Sequence, residues 1–422
     1  MRNKMKIVIE NFRSPNAKTF IESVSIDISF KRLSINVLIL AVMLSCTAFT
    51  YADKPGITKK NISLEELLDR IYGGWVGMLI GGIEGLPHEF KYNEEPRESL
   101  PDFPYLPEGA RTDDDNDFEL THLFFMDKEN VLKITYPRIV EIWKVNMNTG
   151  IWVANKRARE LMDQGIIPPA TGDPKNNDRA AFNLAGQFCT ESYGIVSPGM
   201  PQTAADIGIH YAHISVSGES IQAAQFWTTL ISLNAFYKGP MERLIKDALK
   251  AVDPTSAMNE AVLDAIKTYN ENPKDWKTAR RIFFNKWCVE RKWDGNSTPL
   301  DGGFVILALL YGEGDFYKSL QYAMALGLDS DCNAATAGAV IGVNIGYKKI
   351  AALGGFNMPD NFVNKTRPQL PSEMKISEQA EMFMRVCEHV ILENGGKKIE
   401  IKGKPGYQIA LQTPKMIEPL SK

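Results

Sequence analysis

Cysteine is scarce in this chain and follows no pattern. Its five cysteines, Cys46, Cys189, Cys288, Cys332 and Cys387, form no CxxC pair and show no zinc-ligand spacing. That spacing gives no support to a structural zinc site, and a chain this long does not need disulfides to fold, although four cysteines past the leader leave them possible. Charge of one sign is also lacking. A formal net charge of −3 gives no support to a nucleic-acid groove or a polybasic membrane surface. No apolar run reaches the ~20 residues of a membrane-spanning helix. Strand-like alternation is rare and no period of 20–50 residues repeats, which excludes all-β and solenoid architectures. What is present is a globular composition, 44% hydrophobic and 23% charged over 422 residues. That suits one large domain or two ordinary ones.

The first fifty residues differ from the rest. Lys31 and Arg32 precede an apolar run at 35–42, which passes into small residues and ends at Ala52. Basic patch, short apolar core and small-residue exit are the layout of a secretory signal. Two processing readings stand side by side. Thr50-Tyr51-Ala52 fits simple cleavage, and Met43-Leu44-Ser45-Cys46 loosely resembles a lipoprotein box that would lipidate Cys46. The expectation is an exported protein, periplasmic or at the cell surface, touching a membrane only through such an anchor. The alternative is a buried apolar helix of a cytosolic protein.

From residue 53 to about 395 the pattern is helical. Ser63 and Glu66 form a capping box ahead of apolar residues at Leu64, Leu67, Leu68, Ile71 and Trp75. Further helical segments are read at 118–126, 204–212, 218–237, 241–251, 256–270, 276–291, 302–311, 316–326, 333–345 and 377–392. Residues 397–401 and 407–411 flank Lys404-Pro405-Gly406, predicting a small C-terminal hairpin. The expected division is a leader at 1–52, an all-α domain at 53–395 and a tail or hairpin at 396–422. Gly73, Gly77 and Gly81 recur every fourth residue, as do Gly338, Gly342 and Gly346. Each glycine costs a helix interior about 1 kcal/mol relative to alanine. Close backbone contact on glycine-lined faces would offset that, so both helices are predicted deep in the core, against each other. The alternative is that some of these glycines end helices.

Two acidic stretches carry the chemistry. Thr112-Asp113-Asp114-Asp115-Asn116-Asp117 and Asp329-Ser330-Asp331-Cys332-Asn333 each stand directly before a helical segment. There, free backbone N–H groups and the positive helix end favour anions. One reading is ordinary N-capping. The other is a divalent cation, which explains why three adjacent aspartates gather with only Arg111 near them in sequence. All-oxygen ligands suit Mg²⁺, Mn²⁺ or Ca²⁺. An EF-hand fails because Phe118 stands where that loop needs glycine.

Thr112-Asp113-Asp114 resembles the Thr-Asp-Asp motif of the ADP-ribosylglycohydrolase family, which includes proteins similar to dinitrogenase reductase-activating glycohydrolase. Gly327-Leu328-Asp329-Ser330-Asp331-Cys332-Asn333-Ala334-Ala335 resembles that family's late Gly-x-Asp-x-Asp-Thr-Asn-Ala-Ala motif. The run from Gly81 to Phe90, Gly-Gly-Ile-Glu-Gly-Leu-Pro-His-Glu-Phe, is similar to its early Gly-Asp-Ala-Leu-Gly-x-Pro-x-Glu-Phe. The three motifs stand in order over residues 63–350.

The resemblance implies an all-α, multi-helix orthogonal bundle around one or two Mg²⁺ or Mn²⁺ ions. It implies hydrolysis of an ADP-ribosyl or related ribosyl glycosidic bond, on a small molecule or on a protein. Carried over by position, Thr112, Asp113, Asp114, Asp329 and Asp331 would be metal ligands. Glu89 would be a mobile catalytic glutamate, and Asp114 the base that takes a proton from water. Cys332 stands in place of the threonine that completes the second metal's shell, and a thiol is the softer, weaker partner for Mg²⁺. The second metal is then weak, absent or of another kind. Gly82 stands where the family has aspartate, and Asp115 where it commonly has threonine. His88, Gly199 and Ser330 are candidate substrate contacts. His210 and His213 read as structural, and Trp152, Phe188, Tyr193 and Trp227 as aromatic residues more often found in cores. Two alternatives stand beside this reading: the same fold acting on another glycoside, and a non-catalytic exported binding protein.

Overall fold

The computed structural model describes residues 58–102, 109–353 and 358–420. The leader at 1–52, with Cys46 and both processing readings, falls outside them. Ser63 starts the helical part as expected: its Oγ accepts a hydrogen bond from Glu66 N at 3.1 Å. In chain order the helices are α1 Leu64–Gly85, α2 Asp114–Glu129, α3 Tyr136–Asn146, α4 Val153–Asp163, α5 Ala185–Phe188, α6 Glu191–Ile195, α7 Pro201–Ala212 and α8 Glu219–Asn234. They continue with α9 Met241–Ala248, α10 Ala257–Glu271, α11 Trp276–Phe284, α12 Thr298–Gly312, α13 Phe316–Leu326, α14 Ser330–Ile345, α15 Tyr347–Ala352 and α16 Ile376–Glu393. The class is all-α with small sheets. No described helix is long and apolar enough to cross a membrane.

Glycine spacing decides the centre of the molecule. A Cβ added at Gly73 would lie 2.5 Å from Gly342 O, and one at Gly85 2.5 Å from the Cα of Asp331. Added carbons at Gly77 and Gly81 would run into the backbones of Gly338 and Ala334. The glycine faces of α1 and α14 therefore lie directly on each other, as the sequence predicts. Gly346 is the exception. It ends α14 with φ +81° and takes no part in the helix interior.

The predicted C-terminal hairpin forms from Lys397–Ile401 and Lys404–Ala410, and its second strand also pairs antiparallel with Lys59–Ser63. Both ends of the described chain thereby join one three-stranded sheet. A second small sheet pairs Ala110–Arg111 in parallel with Phe362–Val363, which lies antiparallel to Glu373–Met374. That sheet delivers the chain directly into Thr112, whose N–H donates to Val363 O at 3.0 Å.

Candidate active site

The antiparallel packing of α1 on α14 sets the end of one helix beside the start of the other. Glu89 follows α1 after a short 3₁₀ turn, and Asp329 and Asp331 stand at the beginning of α14. Two hydrogen bonds dock the loops. Phe90 N–H donates to Leu328 O at 2.8 Å, and the Ser330 hydroxyl to His88 O at 3.3 Å. Leu328 has φ +60° and Phe90 +49°, conformations that side chains of this size rarely adopt. Strain of this kind collects at functional sites, where the surrounding fold holds it in place.

α2 supplies the third wall. Asp113 is its N-cap, with Oδ1 accepting from Asp114 N at 2.8 Å, while Asn116 Oδ1 accepts from Asp113 N at 3.3 Å. The capping reading therefore holds for Asp113. Asp114 and Asp115 stand one and two positions on, in the first turn, and face inward. Asp329 caps α14 without a side-chain hydrogen bond to the helix. Its Oδ2 instead accepts from Asn296 Nδ2 at 3.2 Å.

These groups enclose a cavity of about 320 Å³. Glu89, Asp114, Asp115, Asp329, Asp331 and Cys332 line its acidic side, Asn183 and Asn296 offer amides, and Phe90, Trp152, Val153 and Phe188 form an apolar rim. Among the described residues, no lysine, arginine or histidine lines it. Two sets of ligand atoms lie within 4.8 Å of one another: Glu89, Asp329 and Asp331, and Asp115, Asp331 and Cys332. Asp331 belongs to both. A larger cavity of about 720 Å³ lies toward the opposite ends of α1 and α14, lined by mixed charges that include Lys60, Glu66 and Arg70.

With this geometry established, comparison with known proteins adds the family. A sequence model of the ADP-ribosylglycohydrolases matches residues 63–382. The chain belongs to the ADP-ribosylglycohydrolase family. One solved structure, described as an ADP-ribosylglycohydrolase-related protein complex, is similar over 77% of this chain and 99% of its own, at 17% identity and a TM-score of 0.44. No curated protein matches. Glycohydrolases cleave glycosyl bonds with water.

Electrostatics in this ADP-ribosylglycohydrolase cavity are dominated by burial and like charge. Burial, then the charges of neighbouring carboxylates, raises Asp114, Asp115 and Asp331 well above the ordinary carboxylate range. Burial pushes Asp329 up to about 7. Glu89 is raised by burial and by the Asp113 carboxylate. Two buried oxygens, Asp115 Oδ2 and Asp331 Oδ1, have no hydrogen-bond partner. Repelling carboxylates with orphaned oxygens, and no cationic side chain among the described lining residues, fit a divalent cation, which would supply the missing charge and the missing partner.

Other expected contacts lie elsewhere. Gly199 packs against Phe236 and Leu411, away from the cavity, because its φ of +70° serves the turn into α7. Ser330 is fully buried and its hydroxyl is used on backbone carbonyls, and His88 lies outside the lining with its ring beside Tyr92. Both dock the loops and neither faces the cavity. Thr112 is turned to Lys365, whose backbone N–H its Oγ1 receives at 3.0 Å. Neither Thr112 nor Asp113 is among the lining residues, although Asp113 is close enough for its charge to act on Glu89. His210 and His213 are structural, bonded to Ile134 O at 2.7 Å and to Glu418 at 2.9 Å. Tyr193 and Trp227 are core, whereas Phe188 and the exposed Trp152 reach the cavity rim.

Sequence reasoning missed the supports behind the aspartates. Asp301, fully buried in α12, accepts from Asn333 Nδ2 at 3.1 Å and from Asp329 N at 3.4 Å. Burial pushes it up to about 8. An aspartate set before Gly302-Gly303 in an otherwise apolar helix was the available signal. Asn296, held by Asn183 at 2.5 Å, had none.

Proposed function

We propose that this chain is a metal-dependent glycohydrolase that cleaves an ADP-ribosyl or related ribosyl bond. The observation that carries the reading is the convergence of two acidic stretches, remote in sequence, on one cavity with orphaned carboxylate oxygens and, among the described residues, no cationic side chain. Glu89, Asp329 and Asp331 would hold one divalent cation, and Asp115, Asp331 and Cys332 a second. Mg²⁺ and Mn²⁺ are the ions of the resemblance. Bound there, such ions supply charge to sugar hydroxyls and lower the pKa of water.

The rest is the work of the chain's own groups. Water oxygen bonds to the anomeric carbon as the glycosyl bond breaks, and the leaving group departs with the bonding pair. The Asp114 carboxylate, facing the cavity from the first turn of α2, accepts the proton that water loses. Its place in the cavity lining suits it to that task. Asn296 holds Asp329 in place, and Asp301 holds the backbone beneath it. Phe90 and Trp152 give the sugar or its base an apolar face to rest on and narrow the entry of bulk water.

Export, read from the basic, apolar and small-residue order of residues 31–52, belongs to this proposal. An exported enzyme meets extracellular ribosides, nucleotide sugars or other glycosides. The departures at Gly82, Asp115 and Cys332 favour a second substrate reading, the same chemistry on another glycoside. Purified protein with Mg²⁺ or Mn²⁺ should release ADP-ribose from an ADP-ribosyl substrate, or a sugar from one member of a glycoside panel. Asp114→Asn should lower kcat by a factor of ~10² or more with little change in metal affinity. Unchanged turnover in that variant removes Asp114 as the base, and inactivity of the wild type on every substrate removes the hydrolase reading.

A further inference from the structure

The two ligand sets of the cavity differ in chemistry. Glu89, Asp329 and Asp331 offer oxygen alone, whereas Asp115, Asp331 and Cys332 offer two carboxylates and a sulfur. Cys332 is 4% exposed and its Sγ–H donates to Asp115 Oδ1 at 2.7 Å. The thiol is therefore turned into the acidic cluster. The other oxygen of Asp115 and one oxygen of Asp331 are buried without a partner, and both residues line the same cavity as the sulfur. No atom lies closer than 3.9 Å to a Cβ added at Gly82, whose nearest neighbours there are Ala335 and Asp115, so this corner is not filled by backbone. One ligand atom from each of the three residues lies within 4.8 Å of the other two, close enough for them to share an ion.

Resting on the metal-dependent reading above, we propose that the Asp115, Asp331 and Cys332 position is a mixed oxygen–sulfur site that selects Zn²⁺ or another thiophilic divalent cation over Mg²⁺. Its neighbour, Glu89 with Asp329 and Asp331, remains a hard-oxygen position. The physical reason is ligand softness. Thiolate donors favour Zn²⁺ and Co²⁺, whereas Mg²⁺ demands oxygen and dehydrates reluctantly. Two neighbouring positions with different donors then hold two different ions, and a single buffer metal fills only one of them well.

The test uses the full chain, freed of metal with a chelator and titrated with Co²⁺, Zn²⁺ and Mg²⁺ separately. Co²⁺ should produce a sulfur-to-cobalt charge-transfer band in the near ultraviolet, which Cys332→Ser and Cys332→Thr both lose. Calorimetry should find Zn²⁺ bound at least ~10-fold more weakly by Cys332→Thr, with Mg²⁺ affinity equal or higher. Unchanged far-ultraviolet circular dichroism identifies variants that have kept the fold, and the serine and threonine replacements serve as independent versions of the same change. Co²⁺ binding without the band, or equal Zn²⁺-to-Mg²⁺ preference in wild type and Cys332→Thr, overturns the proposal and leaves the metal-dependent hydrolase reading standing. Absence of any divalent binding overturns both. The band with no turnover on any glycoside supports this site and counts against the hydrolase reading alone.

Discussion

At the scale of single residues, buried carboxylates divide into those that line the cavity and those, such as Glu84, that do not. Glu84, near the end of α1, is 2% exposed, and neither of its oxygens has a hydrogen-bond partner. Burial pushes it up to about 7. A folded-state value raised above the unfolded one means that the folded chain binds the proton more tightly. The resulting stability is fully present below the ordinary value of 4.5 and is lost as pH rises through about 7. Glu84→Gln keeps the shape and removes the titration. The variant should therefore gain stability relative to wild type between pH 5 and pH 8, on the order of 2 kcal/mol. Denaturant unfolding at the two pH values checks this, and parallel stability profiles for the two proteins would contradict it. Residue by residue, the candidate site was half legible. Glu89, Asp114, Asp329 and Asp331 reach the cavity, and so does Cys332. Asp301, Asn183 and Asn296 do too or stand behind it, yet a lone Asp or Asn in a sequence carries no sign of what folds over it.

At the scale of elements, the α1 and α14 pair decides both stability and site geometry. An alanine at Gly77 gains about 1 kcal/mol of helix propensity. Its methyl would press into the Gly338 carbonyl, inside van der Waals contact, so the helices must separate. Overpacking of this kind typically costs 1–3 kcal/mol and sometimes more. Gly77→Ala should therefore lower stability by about 2 kcal/mol net, seen as a shifted denaturant midpoint. It should also lower activity and cation affinity, because the same two helices carry Glu89 and Asp331 toward each other. A midpoint at or above the wild-type value would show that the backbones are not in contact. Helix periodicity made most elements legible. It passed over α3, over α4, whose apolar Ala154, Ala158, Leu161 and Met162 are outnumbered by polar neighbours, and over the short α5, α6 and α15. Too few turns of apolar spacing were present there to rise above the background. In α12, Pro299 sits in the first turn, where a missing N–H costs nothing, so the helix starts earlier than the apolar run suggests.

At the scale of the whole molecule, the C-terminal segment is bound into the fold. The strand Lys404–Ala410 lies between Lys59–Ser63 and Lys397–Ile401, and it buries Tyr407 and Ile409. Beyond it, Glu418 O accepts from Gln222 and Gln225 at 3.0 and 2.9 Å. Truncation after Gly395 would leave Lys59–Ser63 as an unpaired edge and open the apolar face beneath the sheet. Such a chain should melt about 5–10 °C lower than wild type, or aggregate, as measured by thermal unfolding and gel filtration. A truncated protein as stable and monomeric as wild type would mean that the strand pairing contributes nothing.

Local interactions were readable without coordinates, because they act over a few residues. The helical class, the N-cap at Ser63, the acidic helix starts and the two glycine stripes all follow from spacing and side-chain type. Facing and partnership were not. Asp113, Asp114 and Asp115 follow one another around a helix turn at about 100° each, so adjacent carboxylates point in different directions. Only the path of the chain decides that Asp113 turns back to cap the helix while the next two face the cavity. The same holds for Ser330 and Gly199, whose surroundings come from segments far off in sequence. Burial is a property of the assembled fold, and burial is what turns an ordinary aspartate into a group that waits for a proton or a cation.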